Sequence, residues 1–517
     1  MSPSKTDTRP ARGKIKTLEQ LGEIAAEARK AGGRVVLAHG VFDLLHMGHV
    51  RHLEVAREQG SVLIVTVTAD AFVNKGPGRP VFPDYLRAEF LASLEYVDWV
   101  GINHDPSAEA VLRVVRPDVY VKGSDYRNSK DDITGKIAAE RETVESHGGS
   151  LIFTDDITFS SSALINRYLN VYEPSLQQYL DVLRDQGALQ RLTELLERIK
   201  DYRVLFVGDA IIDEYQYVLP MGKSPKENMI ATLFQGRELF AGGVFAAANH
   251  VAGFCRQVEV LTILGDRDSH ESLIRDAIKP NVVLNALRRP NTPTTRKCRF
   301  IDPTSLRKMF EVYFMDDTPV RGKLEEKCRR YLGERMADFD LVVVTDFGHG
   351  FLTPGIVSTL TEKAPFLAVN CQSNSANHGF NLITKYSKAD FVCIDSQEAR
   401  LAVHDKYLEP ASIVQDRLPT VIDCSRFVVT QGKAGCLAYS PGEELCKVPA
   451  LTNSIVDTVG AGDAFFSVTA PLAAAGASMA DIGLIGNAAG AMKVGIVGHR
   501  SSVEKVPLLK FLTALLK

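Results

Sequence analysis

Short β-branched apolar runs alternate with helical patterns along most of this 517-residue chain, and that alternation restricts its fold more than any other feature. Residues 34–38 (Arg-Val-Val-Leu-Ala) and 62–67 (Val-Leu-Ile-Val-Thr-Val) flank a helical stretch whose apolar positions include Leu53, Val55 and Ala56. Two strands joined through a helix run parallel, so the pattern predicts an α/β protein with helices packed on a parallel sheet. Further strands are expected at 97–102, 118–121 and 151–153, with helices at 84–94, 107–115 and 135–147. The pattern ends near 170. A charged helical stretch with Gly187 as its one glycine follows over 171–200, and strands resume at 204–207, 258–264, 341–345, 366–369, 391–394 and 427–430.

At ~150 residues per domain this length calls for more than one core. The expected organisation is a disordered, polar N-terminus over 1–14, a first domain over 15–170, a helical linker over 171–200 and a larger α/β domain over 201–517. The 60 basic and 63 acidic residues leave a net charge of -3, which gives nucleic acid no global attraction. All eight cysteines lie beyond residue 250 with no Cys-x-x-Cys pair, the usage of a reducing compartment, so a cytoplasmic protein is expected. The apolar stretch 465–498 is broken by Pro471, Asp481, Asn487 and Lys493, so no membrane association is expected.

The first run ends in a turn, His39-Gly40-Val41-Phe42-Asp43, and a helix opens at His46-Met47-Gly48-His49. Two imidazoles three residues apart then share the first turn of a helix, whose N-terminal end attracts anions. Gly48 between them allows a phosphate to approach the backbone. A metal site is disfavoured, because His46, His49 and His52 advance about 300° per step of three and His52 leaves the shared face. Neither a His-Glu-x-x-His spacing nor a nearby cysteine helps it, so no metal ligands are assigned here.

This stretch resembles the nucleotidylyltransferases with a His-x-Gly-His signature, most closely the branch acting on sugar 1-phosphates that activates heptoses. The likeness covers most of 34–168: Gly40-x-Phe42-Asp43, His46-x-Gly48-His49, Asn74-Lys75-Gly76 with Arg79, Arg87, Lys122-Gly123-Ser124-Asp125 and Ser160-Ser161-Ser162. It implies a Rossmann-like domain in which a sugar 1-phosphate attacks the α-phosphorus of a nucleoside triphosphate and pyrophosphate leaves. His46 and His49 would stabilise charge on the α-phosphate and leaving group, and Lys75 and Arg79 would hold the β- and γ-phosphates. Ser160, Ser161 and Ser162 would offer hydroxyls and amides, Lys122 would face the sugar phosphate, and Asp125 the nucleotide. Gly40, Phe42 and Asp43 belong to the same nucleotide-binding turn. The likeness usually carries a threonine in the hydroxyl cluster, whereas all three residues here are serine.

Near the other end stands Asp457-Thr458-Val459-Gly460-Ala461-Gly462-Asp463, followed by small and aromatic residues that suit a helix starting at Asp463. Amides of Gly460, Ala461 and Gly462 can converge on a transferring phosphoryl group only where side chains are small. Asp463 at the helix mouth can accept the proton of an attacking hydroxyl.

The region 204–503 resembles the ribokinase-like sugar kinases, in particular the kinase half of fused heptose enzymes. By that resemblance Asp213, Gly242, Gly243 and Asn249 bind sugar hydroxyls, with Lys297 or Arg299 near a sugar phosphate. Glu398 handles magnesium and phosphate, and Thr430, Gly432, Gly435 and Asn487 shape the nucleotide pocket. Lys297 and Arg299 read equally as charges on a strand surface. Where the heptose-kinase likeness has Asp-Pro-Lys this chain has Asn370-Cys371-Gln372, and Asp395 replaces the Asn of an Asn-x-x-Glu pattern. The fused family also carries its kinase first, the reverse of the order here.

The expectation is a bifunctional, homo-oligomeric (dimeric) enzyme of nucleotide-sugar biosynthesis that acts on small-molecule sugar phosphates and nucleotides. It would use ATP or another nucleoside triphosphate as substrate and Mg²⁺ as cofactor. The alternative is a cytidylyltransferase for an alditol or cyclitol phosphate, fused to a non-catalytic kinase-like module that serves binding or dimerisation.

Overall fold

The computed structural model describes residues 10–73, 75, 79–123, 136–154, 173–452 and 455–516. The chain divides into two compact units, residues 1–180 with 509–517, and residues 181–508.

In the first unit the strands β1 (Val35–Gly40), β2 (Val62–Thr68), β3 (Trp99–Asn103), β4 (Val119–Gly123) and β5 (Ser150–Thr154) form a parallel sheet in the order β3-β2-β1-β4-β5. These are the five strands anticipated from the β-branched runs. Alternate side chains point to opposite faces. Val36, Ala38 and Val65 pack with Leu53 and Ala56 of a helix over Met47–Glu58 and with Ala88 and Leu91 of a helix over Asp84–Ala92. Val35, Leu37 and Ile64 pack with Leu21, Ala25, Val111, Leu112 and Val144 of helices on the other side. Strand order reverses between β1 and β4, and ligands of such sheets sit in the crevice outside the strand carboxyl ends at that point.

The disorder expected over 1–14 is corrected for its last residues. Pro10–Gly13 is a short helix, Ile15 bridges Val100, and the Lys14 ammonium donates to the carbonyls of Leu94 and Val97 at 3.2 and 2.7 Å. A polar, basic segment is thus ordered by chain-end carbonyls that need a donor. A helix over Leu18–Lys30, opened by a Thr17/Gln20 capping box, also went unanticipated.

Arg87 is fully buried and holds the turn after β1. It donates to the carbonyls of Phe82, Val41 and Thr68 at 2.8, 2.5 and 2.8 Å and to Asp70 Oδ1 at 2.5 Å. Arg87→Ala strands several buried acceptors, each worth about 1–3 kcal/mol. A loss of at least about 3 kcal/mol is expected on that scale, read as a lowered urea midpoint of this unit; an unchanged midpoint would contradict the clamp.

The second unit is built on a nine-stranded sheet. In chain order its strands are β6 (Arg203–Gly208), β9 (Gln257–Arg267), β10 (Val282–Pro293), β13 (Leu341–Asp346), β14 (Leu367–Cys371), β16 (Phe391–Asp395), β18 (Phe427–Thr430), β19 (Cys436–Tyr439) and β20 (Cys446–Val448). The order across the sheet is β10-β9-β6-β13-β14-β16-β18-β19-β20, and two short strands, β15 (Lys388–Ala389) and β17 (Asp423–Cys424), pair beside it. The helix Ala461–Ala474 is almost wholly buried, which its small and aromatic residues on every side require. The stretch 171–200 forms two helices, Pro174–Asp185 and Ala188–Arg198. The second lies on this unit through Leu192, Leu195 and Leu196 and a two-nitrogen grip of Arg191 on Asp481.

A separate four-stranded sheet, order β12-β11-β7-β8, is formed by β7 (Ala210–Lys223), β8 (Ile230–Gly243), β11 (Thr295–Asp302) and β12 (Arg307–Phe314). Register places Asp213, Lys297 and Tyr313 side by side, then Tyr215, Arg299 and Glu311, all on one face. The intervening residues, Cys298 beside Val312 and Phe300 beside Phe310, occupy the opposite face. The sheet therefore has one charged face and one mixed face, on which Cys298, Phe300, Phe310 and Val312 stand beside the Glu214–Arg296 ion pair.

Candidate functional site

In the first unit the turn at the end of β1 is shaped before it meets any ligand. Phe42 adopts φ +49°, a left-handed conformation costing roughly 1–2 kcal/mol for a side-chain-bearing residue. Asp43, almost without exposed surface, accepts from Val81 N at 2.6 Å and Arg79 Nη1 at 3.2 Å. Arg79 was expected to reach the triphosphate; its side chain is 1% exposed and pairs with Asp43. Gly40 is crowded, since a Cβ there would stand 3.1 Å from the Phe42 ring.

His46 caps the helix Met47–Glu58 by accepting from Gly48 N through Nδ1 at 3.1 Å, which leaves the proton on Nε2, pointing away from the backbone. The rings of His46 and His49 stack at 3.9 Å, and Phe42 meets His49 edge-on at 5.3 Å. Burial, then the charges of His46, His52 and Lys75, push His49 down to about 3, and burial lowers His46. Both are therefore neutral at physiological pH and act as N–H donors. His49 Nδ1 is buried without a hydrogen-bond partner among the described residues. The other two histidines are occupied by hydroxyls: His39 Nδ1 lies 2.9 Å from Thr66 Oγ1 and His52 Nδ1 2.8 Å from Thr154 Oγ1. Lys122 ends β4 across the crevice, and its ammonium lies 3.0 Å from Glu140 Oε2. Asp125, Ser160, Ser161 and Ser162 lie outside the described residues.

In the second unit the charged face of the four-stranded sheet and the strand carboxyl ends bring the expected residues together. Asp213 is bonded to Arg299 Nη1, and His499 Nε2 lies 3.2 Å from its Oδ2. Although burial opposes ionisation, these partners hold Asp213 well below the usual carboxylate range. Gly242 is obligatory beside it, because a Cβ would fall 1.9 Å from Asp213 Oδ2. Gly243, at φ +54°, starts the helix Val244–Ala252. Asn249 on that helix was expected to bind sugar hydroxyls, but its amide is spent on the chain, donating to Ala277 O at 2.9 Å and accepting from Lys279 N at 3.0 Å. It is a loop brace.

Gly460, at φ +76°, caps the helix Ala461–Ala474. The Ala461 amide closes onto Thr458 O at 3.3 Å, while the amides of Gly460 and Gly462 have no backbone partner among the described residues. Asp463 accepts from Gln372 Nε2 at 2.5 Å. Burial raises the pKa of Asp463, and His499 and Gln372 oppose the rise. A base raised in this way binds a proton more readily than an exposed aspartate. Gln372→Lys would add a cation that favours the carboxylate, so the acid limb of kcat/KM for phosphoryl transfer should move to lower pH; an unmoved limb would separate Asp463 from that limb.

Glu398 accepts from Ser373 N at 2.9 Å and Asp395 N at 2.8 Å, and its pKa rises to about 8 through burial and the neighbouring Asp395. Thr430, Gly432 and Gly435 lie at the β18–β19 connection, with both glycines at positive φ, and Asn487 donates to the carbonyls of Val448 and Pro449 beside it. Two residues beside these groups escaped the sequence reading. His349 is buried with both ring nitrogens unpartnered among the described residues, and His499 bridges Asp213 to the glycine turn, its Cε1 2.8 Å from where a Gly460 Cβ would be. Neither stands in a motif. The Lys297 ammonium, 6% exposed as a residue, faces the Tyr313 and Phe347 rings at 5.3 and 5.8 Å.

Fold and turn together define a carbohydrate kinase joined to a nucleotidyltransferase-like unit, and the comparisons agree. Residues 202–506 match the model of the pfkB family carbohydrate kinases, and residues 37–167 match the cytidylyltransferase-like model. The chain belongs to the pfkB carbohydrate kinase family. Its N-terminal region is 42% identical over 133 residues to "Bifunctional protein HldE" of Nitratiruptor sp., covering 25% of this chain and 29% of that protein. It is 40% identical over 151 residues to the protein of that name from Hahella chejuensis, covering 29% and 30%. The chain thus spans about a third or less of the length of the curated relatives it matches. Among solved structures, ribokinase from Thermotoga maritima aligns at 18% identity and TM-score 0.48, over 60% of this chain and 99% of that one. No helix among the described residues is long and apolar enough to cross a membrane.

Proposed function

We propose that this chain is a bifunctional enzyme of nucleotide-sugar supply. The second unit phosphorylates a heptose-like sugar phosphate from ATP, and the first transfers a nucleotidyl group, AMP favoured, to a sugar 1-phosphate with release of pyrophosphate. The observation that carries the kinase half is Asp463 at the mouth of the glycine turn, beside two unpaired amides and facing Asp213 and His499. An acceptor hydroxyl positioned by Asp213 and Gly242 gives its proton to Asp463 as its oxygen attacks the γ-phosphorus. The bond to ADP breaks, and the turn amides stabilise the charge on the transferred group.

A phosphorylated acceptor is favoured over a free sugar. Among the described residues no carboxylate pairs with the buried Lys297 ammonium and neither ring nitrogen of the neighbouring His349 has a partner, and a phosphate would satisfy both. Mg²⁺ would be held near Glu398 together with the nucleotide phosphates. Asp395 and Asp463 repel charge on Glu398, and a divalent cation shared with nucleotide phosphates would relieve that repulsion. When bound, it would neutralise charge between the β- and γ-phosphates. Thr430, Gly432, Gly435 and Asn487 would line the nucleotide base.

In the first unit His46 and His49 would donate N–H groups to the α-phosphate and leaving group, with Lys75 on the outer phosphates. The four-stranded sheet exposes the apolar side chains of Phe310, Val312 and Phe314 on one face, which supports a homodimer. A cytoplasmic setting fits the free cysteines.

A second reading, a cytidylyltransferase for an alditol or cyclitol phosphate with a non-catalytic kinase-like module, draws on the neutral Gln372 that sits on Asp463. Each triphosphate is offered with sugar 1-phosphates and with alditol phosphates, and pyrophosphate is measured. Preference for ATP with a sugar 1-phosphate supports the main reading, and preference for CTP with an alditol phosphate overturns it.

A further inference from the structure

Lys493 is the last residue of the helix Met479–Lys493, and its side chain has no exposed surface. Its ammonium donates to the carbonyls of Val459 at 2.8 Å and Gly498 at 2.7 Å. A buried charge with two neutral acceptors is expensive, and an uncharged side chain of similar length would fill the space without that cost. Burial accordingly pushes the lysine pKa down.

The same two residues are also held through the amides of the peptides that precede them. Val459 N and Gly498 N donate to Asp457 at 3.1 and 2.9 Å. Asp457 also accepts from Tyr215 OH on β7 and Lys308 Nζ on β12, each at 2.7 Å. The carbonyl of Val459 and the amide of Gly460 belong to one planar trans peptide and point in opposite directions. Drawing the carbonyl onto Lys493 therefore aims the Gly460 N–H away from it. Contact is close, for a Cβ on Gly460 would stand 3.4 Å from Lys493 Cε.

We propose that Lys493 is a positioning residue for phosphoryl transfer, an internal ammonium that sets the Val459–Gly460 peptide so that its amide faces the transferring group, and that adds positive field from behind the turn. The proposal rests on the reading of Gly460 to Asp463 as the transfer site. Lys493 makes no bond to substrate and exchanges no proton with it.

The test uses the full chain carrying Lys493→Met or Lys493→Ala, with ADP formation measured from ATP, Mg²⁺ and a sugar phosphate that the wild type accepts. A fall of about 10²–10³ in kcat is expected, the range for a lost oxyanion donor. KM for the acceptor should stay within about threefold, since the loss is confined to the transition state. Lys493→Ala should recover activity saturably with ammonium or methylammonium and not with tetramethylammonium at equal ionic strength, a response that a filler of space would not give. Near-wild-type kcat in either variant overturns the proposal, as does a folded Lys493→Ala that no small ammonium restores. Lys493→Gln, which retains an N–H donor without the charge, serves if the other two fail to fold: the same kcat loss supports the proposal and unchanged kcat overturns it. Full activity of Asp463→Asn would instead overturn the underlying transfer site, so the two failures are distinguishable.

Discussion

Asp463→Asn should lower ADP formation from ATP and a sugar phosphate by about 10²–10⁴-fold, the usual contribution of a positioned general base. The asparagine fits the same space and can still meet the Gln372 amide through its own oxygen, so folding should survive. It cannot take a proton, and the loss should fall on kcat more than on KM because the proposed acceptor contacts are Asp213, Gly242 and Lys297 rather than Asp463. Pyrophosphate formation by the first unit should be unchanged. Retention of wild-type ADP formation would move the base elsewhere and favour the non-catalytic module.

The converse substitution is His49→Ala, with His46→Ala beside it. Each removes an N–H donor aimed at the helix mouth, and each should reduce pyrophosphate release by about 10²–10³-fold, while ADP formation stays unchanged. Burial holds His49 down at about 3 and lowers His46 from the ordinary imidazole range, so both favour the neutral form in the free enzyme. Raising the pH through 6.5 therefore removes no histidine charge, and kcat/KM for the triphosphate should not fall there. A descending limb centred near 6.5 would show that a histidinium is required and contradict the neutral-donor account.

Much of this was legible in the sequence because parallel sheets write themselves as unbroken β-branched runs. Val35 to Ala38, Leu63 to Val67 and Leu341 to Val344 are buried on both faces and could hardly be anything else. The two turns were legible because close phosphate approach demands small residues beside a helix start, and Gly460 and His46 do cap helices. The four-stranded sheet was not, since β7 and β8 mix charged and apolar residues with no intervening helix, and their alternation makes sense only once one face lines a cavity. Residues whose partners are distant in sequence were misjudged for the same reason. Arg79 was expected at the outer phosphates and Asn249 at the sugar, and nothing local in the sequence pointed to Asp43, 36 positions away, or to Ala277 and Lys279 as their partners. Lys493 and His349 carry no motif, and only their burial marks them.

The most direct test of two independent phosphate chemistries in one chain is a ³¹P spectrum of one reaction mixture. It would contain ATP, Mg²⁺, a sugar phosphate and a sugar 1-phosphate, and would be recorded for the wild type, Asp463→Asn and His49→Ala. The expected result is ADP together with pyrophosphate and a nucleotide-sugar diester for the wild type, loss of ADP alone for Asp463→Asn, and loss of pyrophosphate and diester alone for His49→Ala. Both products vanishing in either variant, or pyrophosphate arising with no ADP from the wild type on any sugar phosphate, would contradict the account.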